Sequence, residues 1–90
     1  MQKHTKIYMN HFEYQIAEDV ISELSGSPAQ DIHHINGRGK GKDTIENLIA
    51  LTREQHDGCH MEKISKETLH MVHKDFMQQH ENRKIQNSSK

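Results

Sequence analysis

Four histidines and one asparagine in the middle of the chain have the residue types and spacing of a metal centre with a general base beside it. His33 and His34 are adjacent, His56 and His60 lie four residues apart, and Asn47 lies between the two pairs. Residues four apart on a helix share one face, so His56 and His60 can point at one ion. Adjacent strand residues point to opposite faces, so one of His33 and His34 can bind the ion while the other removes a proton from water.

Two short strands and a helix are predicted to position these side chains. Asp31–Ile35 has the pattern of a strand, and Asn47–Leu51 has that of a second, apolar strand. The segment 36–42 between them has glycine at every second position and predicts a flexible loop. Thr52 followed by Gln55 has the form of a capping box, so we expect a helix to begin there and to carry His56 and His60.

The flanking segments are predicted to complete the core. Residues 1–25 contain apolar side chains at mixed spacing, which leaves open a short helix or turn near 7–12 and an extended piece near 14–24. The segment 25–28 is a turn signal, and a further helix is expected from Ser65. The apolar stripe of that helix is formed by Leu69, Val72 and Phe76.

Composition limits the chain to one small domain with a thin core. It has 90 residues, of which 31% are hydrophobic, and its single cysteine, Cys59, excludes an intramolecular disulfide. Neither an apolar run of membrane-spanning length nor a signal peptide is present, so we expect a cytoplasmic protein that does not enter a membrane. We expect the domain to span residues 1–81, with its core at 31–62, and the polar tail 82–90 to be disordered.

The stretch DIHHIN-GRGKGK-DTIENLIALTREQHDGCH, which begins at Asp31, resembles the HNH, or ββα-metal, endonucleases. The shared pattern is a histidine preceded by a metal ligand, a loop, an Asn-Leu pair before an apolar strand, and a ligand nine residues after that asparagine. His56 lies nine residues after Asn47. The resemblance implies an α+β fold in which a ββα-metal hairpin-plus-helix core is flanked by an N-terminal segment and a C-terminal helix. The chain also resembles the small members of this family that are of phage or prophage type.

The resemblance implies a role for each residue of the constellation. His34 matches the general base that activates water, and Asn47 matches the asparagine that ties the hairpin loop and positions the base. His33 matches the first metal ligand, His56 the second, and His60 a third ligand that colicin-like members supply one helical turn later. The implied cofactor is one divalent ion, which is Zn, Mg, Mn or Ni.

One feature of many HNH proteins is missing from this chain. Their two Cys-x-x-Cys pairs bind a structural zinc, whereas the matching positions here are Ser22, Ser25, Thr52 and Gln55. None of these is a useful zinc ligand. We therefore expect no structural zinc, and we expect residues 1–25 and the C-terminal helix to hold the hairpin.

The expected function is hydrolysis of DNA phosphodiester bonds by a histidine base and one divalent ion. The basic residues expected to contact DNA phosphates are Arg38, Lys40, Lys42 and Arg53. The net charge of −1 argues against a strongly basic DNA-binding surface. A second copy of the chain or a phage protein is a further partner that the sequence leaves open.

Other interpretations remain open. The chain could be a non-catalytic, metal-stabilised DNA-binding or phage assembly module with the same fold, although such a module would be expected to lose the base. A toxin domain neutralised by an immunity partner is a third alternative. The loop cations could be merely solvated. The histidines outside the constellation are expected to be surface or core side chains, namely His4, His11, His70, His73 and His80.

Overall fold

Within residues 1–88, the fold consists of a two-stranded antiparallel hairpin and three α-helices, which confirms the predicted α+β class. The computed structural model describes the backbone of residues 1–88 and the side chains of residues 1–84. In chain order the helices and strands are α1 (Lys3–His11), β1 (Asp31–His34), β2 (Leu48–Leu51), α2 (Arg53–His60) and α3 (Lys66–Ser88). Two short 3-10 helices are also present, Ala17–Asp19 and Ile45–Asn47.

The hairpin is covered on both of its faces. Asp31 pairs with Leu51 and His34 pairs with Leu48, and all four residues of β2 are fully buried. One face of the hairpin packs on α1, and the core there contains Tyr8, Met9, Phe12, Val20, Leu48 and Ala50. The core on the other face contains Ile35, Ile49, Leu51 and Leu69 of α3. Because a two-stranded sheet is barely stable alone, this double cover is what makes the hairpin a scaffold.

The helix α2 begins where the capping box predicted it. The Thr52 hydroxyl accepts a hydrogen bond from the Gln55 amide at 3.1 Å, and the Gln55 side chain accepts one from the Thr52 amide at 2.9 Å. Gly58 lies inside the helix, where an added Cβ would be 3.4 Å from Ile64 Cδ1. An alanine would therefore make only an ordinary van der Waals contact with Ile64, and this packing does not depend on glycine.

The N-terminal segment differs from one of its two expected elements. A helix does occur near the predicted position and spans Lys3–His11, but residues 14–24 do not form a strand. They contain the 3-10 helix Ala17–Asp19 and a single bridge between Ile21 and Pro28. Tyr14 and Val20 of this segment pack against α1 and β2, which spacing along the sequence does not reveal.

The helix α3 continues past residue 81, where we expected the domain to end. Its start is supported by the Ser65 hydroxyl, which accepts a hydrogen bond from the Thr68 amide at 3.1 Å. Helical backbone continues to Ser88, and the rest of the polar tail, residues 89–90, lies outside the described residues. Polar pairs one turn apart support the helix there, such as Gln78 with Asn82 at 3.1 Å. Across residues 1–88, no helix combines the length and the apolar character needed to cross a bilayer.

A buried polar network joins three separate parts of the chain. The Glu23 carboxylate lies 2.9 Å from His73 Nδ1 on α3 and accepts a hydrogen bond from the Tyr8 hydroxyl at 2.5 Å. His73 Nε2 lies 2.6 Å from the Ile45 carbonyl oxygen. The side chains of Glu23 and His73 are 0% and 3% exposed, so this ion pair is fully desolvated. Burial alone would lower the pKa of His73, but the hydrogen bond and charge of Glu23 outweigh it and raise that pKa.

A hydrogen-bonded cluster is formed by the residues that the resemblance matched to the zinc-binding positions of many HNH proteins, Ser22, Ser25, Thr52 and Gln55. Ser22 Oγ donates to Gln55 Oε1 at 2.6 Å, and Gln55 Nε2 donates to Ser25 Oγ at 3.1 Å. The same Gln55 completes the capping box with Thr52. Hydrogen bonds therefore join the segment before β1 to the start of α2.

We predict that His73→Ala is strongly destabilising. The substitution removes one partner of a buried ion pair, which costs about 3–5 kcal/mol because the other charge stays buried and uncompensated. The unfolding midpoint in urea, followed by circular dichroism, measures the effect. His70→Ala on the same helix is the control, and loss of its exposed hydrogen bond to Asn36 should cost at most about 1.5 kcal/mol. Equal losses in the two variants would contradict the structural role of the network.

Candidate metal centre

Three of the predicted histidines come together at the contact between β1 and α2. One ring nitrogen from each of His33, His56 and His60 lies within 4.8 Å of the others. His56 Nε2 and His60 Nε2 are 3.2 Å apart. Two nitrogen ligands of a tetrahedral zinc ion, each about 2.0–2.1 Å from the metal, are separated by roughly 3.3 Å. The separation within the helix pair therefore fits a shared ion, and these side chains could hold one.

Asp31 orients one of these histidines. Its Oδ2 lies 3.1 Å from Nδ1 of His56, and its Oδ1 lies 3.5 Å from a guanidinium nitrogen of Arg53. Because a carboxylate only accepts hydrogen bonds, His56 carries its proton on Nδ1 and presents the lone pair of Nε2 to the other histidines. Carboxylates commonly hold metal-binding histidines in this way. Burial opposes ionisation of Asp31, but the hydrogen bonds from His56 and Arg53 outweigh it and lower the pKa of the carboxyl.

His33 is neutral over the physiological range of pH. Burial, together with the neighbouring charges of His56 and His60, lowers the pKa of His33 from 6.5 to about 4. A neutral imidazole is the form that binds a metal ion. His33 could therefore bind an ion without first losing a proton at neutral pH.

His34 points to the opposite side of β1 and has different partners. Its Nε2 lies 2.7 Å from Oδ1 of Asp43, and its ring packs against the ring of His4 with centroids 4.6 Å apart. The side chain is only 5% exposed. The hydrogen bond to His34 lowers the pKa of the Asp43 carboxyl, so Asp43 is ionised at neutral pH.

Asn47 closes the loop that joins the two strands. Its Oδ1 accepts a hydrogen bond from the Asn36 amide at 2.7 Å, and its Nδ2 donates to the carbonyl oxygens of Lys42 at 2.9 Å and Gly37 at 3.3 Å. The residue is buried, and its own carbonyl accepts from the Ile35 amide at 2.8 Å. One side chain therefore holds both ends of the loop that follows His34.

The basic residues predicted to meet phosphate separate into two groups. A cavity of about 390 Å³ is lined by all four histidines of the constellation and by Arg38. Lys40 and Lys42 do not line it, and Arg53 contacts Asp31 instead. Lys66, at the start of α3, lines the cavity although the sequence analysis did not select it. Cys59 also lies on the cavity wall, and burial raises the pKa of its thiol.

Four residues that lie near the site were not selected by the sequence analysis. Asp31 had a usable signal, because it lies two residues before His33 and therefore on the same strand face. Lys66 and Asp43 had no such signal in the sequence, because each lies near the histidines only as a result of how the preceding loop folds. His4 was expected to be an ordinary surface or core residue, but it is buried against His34.

Comparison of the chain with protein-family models, with curated proteins and with solved structures gives no match. The chemistry of the site is therefore argued from its own geometry.

We predict that Asp31→Ala weakens binding of a divalent ion by about 10–100-fold, the usual cost of losing the group that orients a ligand histidine. Isothermal titration with Zn²⁺ or Co²⁺ measures the effect. Asp57→Ala is the matched control, because this carboxylate is exposed on α2, the helix that carries His56. If both variants bound the ion as the parent does, Asp31 would have no role in orienting His56.

Proposed function

We propose that the chain is a metal-dependent endonuclease that hydrolyses DNA phosphodiester bonds. His34 is the general base, and His33, His56 and His60 are the metal ligands. The observation that carries the proposal is that one cavity against β1 is lined both by the three-histidine cluster and by His34, the carboxylate-paired residue that follows His33 and leaves the strand on its other side. A general base and a bound metal ion beside one substrate can together catalyse hydrolysis, because the base takes a proton from water and the metal stabilises the developing charge.

The reaction that suits this arrangement is attack of water on phosphorus. His34 accepts a proton from water, the water oxygen forms a bond to phosphorus, and the bond from phosphorus to the 3′-oxygen breaks. The leaving oxygen takes a proton from solvent. The tie between Asn47 and the loop after His34 keeps the base in a fixed position relative to the ligands.

A divalent ion bound to the three histidines would stabilise negative charge on a phosphate oxygen and on the leaving group. The donor set itself narrows the choice of metal. Imidazole nitrogens suit Zn²⁺, Ni²⁺ or Co²⁺, whereas Mg²⁺ and Mn²⁺ prefer oxygen ligands. We therefore favour one of the first three ions over Mg²⁺ and Mn²⁺.

The charge around the cavity supports a phosphate substrate. Arg38 and Lys66 both line it, and within residues 1–84 no carboxylate lies at salt-bridge distance from either side chain. Cations beside the histidines can contact the phosphates next to the one that is cleaved. The small number of such residues is consistent with weak sequence preference.

A non-catalytic, metal-stabilised DNA-binding module is the second candidate function. The observation that favours it is the burial of His34, whose side chain is 5% exposed and already hydrogen-bonded. A histidine in that environment could serve the fold alone. The two candidates differ in what removal of the His34 ring does.

Under the proposed function, His34→Ala lowers cleavage by roughly 10²–10⁴-fold, which is the contribution of a general base. Nicking of supercoiled plasmid in Zn²⁺, Ni²⁺, Mn²⁺ and Mg²⁺ measures the rate. The variant should still bind one divalent ion and keep its helical circular dichroism, because His34 is not a ligand. A parent protein that binds DNA and metal but does not cleave in any ion would support the non-catalytic module instead.

The two cations that line the cavity are expected to contribute more to DNA binding than the two loop lysines outside it. Arg38→Ala/Lys66→Ala should weaken DNA binding and reduce the slope of log affinity against log salt by about one for each phosphate that the protein no longer neutralises. The double variant Lys40→Ala/Lys42→Ala removes the same charge from outside the cavity and should have the smaller effect. DNA binding is measured by fluorescence anisotropy across a salt series. Equal losses of affinity in the two double variants would contradict a special role for the cations that line the cavity.

A further inference from the structure

A second group of potential metal ligands lies on the other side of β1. It consists of His4 on α1, His34 on β1 and Asp43 in the loop that follows, with one nitrogen or oxygen from each within 4.8 Å of the others. His4 and His34 are 8% and 6% exposed. The proposed function uses His34 but assigns no role to its two partners.

The distances distinguish a hydrogen bond from a shared ion in this group. His34 Nε2 and Asp43 Oδ1 are 2.7 Å apart. Charge-assisted N–H···O hydrogen bonds have separations of about 2.7–2.9 Å. Two ligands of one tetrahedral ion are roughly 3.3 Å apart, which is close to the 3.2 Å between His56 Nε2 and His60 Nε2. The 2.7 Å contact therefore has a proton between its two atoms.

We propose that Asp43 is a positioning residue that holds His34 in the tautomer with its proton on Nε2. An ionised carboxylate has no proton to give, so the hydrogen must come from the ring nitrogen that faces it. The neutral ring then has its lone pair on Nδ1, which makes Nδ1 the atom that takes the proton from water. The catalytic part of this inference rests on the proposed function, whereas the tautomer does not.

His4 packs against the ring of His34 and limits the plane in which that ring lies. The two rings pack with an interplanar angle of 60°. A half-turn of the His34 ring about its last side-chain bond would exchange Nε2 for a carbon and lose the hydrogen bond to Asp43. Packing against His4 thus limits the plane of the ring, and the bond to Asp43 selects one of the two flipped orientations as well as one tautomer.

Nuclear magnetic resonance of the metal-free, ¹⁵N-labelled protein tests the tautomer directly. Long-range proton–nitrogen correlations identify which ring nitrogen of His34 carries the hydrogen. We expect Nε2–H in the parent, a mixture of both tautomers in Asp43→Ala, and recovery of Nε2–H in Asp43→Glu. Asp19→Ala, which removes an exposed carboxylate elsewhere, should keep the parental spectrum. Nε2–H unchanged in a folded Asp43→Ala protein would overturn the proposal.

Kinetics and metal stoichiometry complete the test. Asp43→Ala should lower kcat by about 10-fold or more, with an upper bound of the roughly 10²–10⁴-fold that loss of the base costs, and leave KM and bound metal unchanged. Two ions per parent chain, with one lost in both His4→Ala and Asp43→Ala, would show a metal site and overturn the proposal. If the parent cleaves no DNA, the proposed function fails, while the tautomer spectrum still decides whether Asp43 positions His34.

Discussion

The alternation of side chains along β1 is the constraint on which the rest of the structure depends. Antiparallel pairing with β2 places His33 and His34 on opposite faces of one hairpin. A hairpin alone is marginally stable, and here α1 covers one face while α2 and α3 cover the other. A slip of one residue in register would exchange the two histidines between these faces. The buried apolar residues of β2 therefore fix the strand register and, with it, the face on which each histidine lies.

Polar contacts between distant segments hold this double cover in place. The pair formed by Glu23 and His73 connects the segment before β1 to α3, and the cluster around Gln55 connects the same segment to α2. Unlike apolar packing, these contacts are directional, because a buried carboxylate or hydroxyl is costly unless its partner is correctly placed. The fold thus obtains specific docking of its helices from hydrogen bonds and one buried ion pair.

The sequence predicted those parts of the structure that depend on local spacing. The α+β class was confirmed, and α2 begins with the expected capping box at Thr52. The i, i+4 pair His56 and His60 does approach His33. The features that the sequence did not predict involve long-range pairing. His73 meets Glu23 across 50 residues of chain, and residues 14–24 pack through contacts that no periodicity reports. Asp43 reaches His34 only because the loop turns back, a path that depends on Asn47.

The two carboxylates beside the histidines have the same chemistry and opposite effects on the rings they contact. Asp31 meets Nδ1 of His56 and leaves Nε2 with the lone pair, directed at its neighbour His60. Asp43 meets Nε2 of His34 and leaves Nδ1 with the lone pair. A metal ligand and a general base both need an unprotonated nitrogen, so each site must fix where the proton resides. Placing the two carboxylates on opposite faces of β1 lets one hairpin assign the tautomers of two histidines independently.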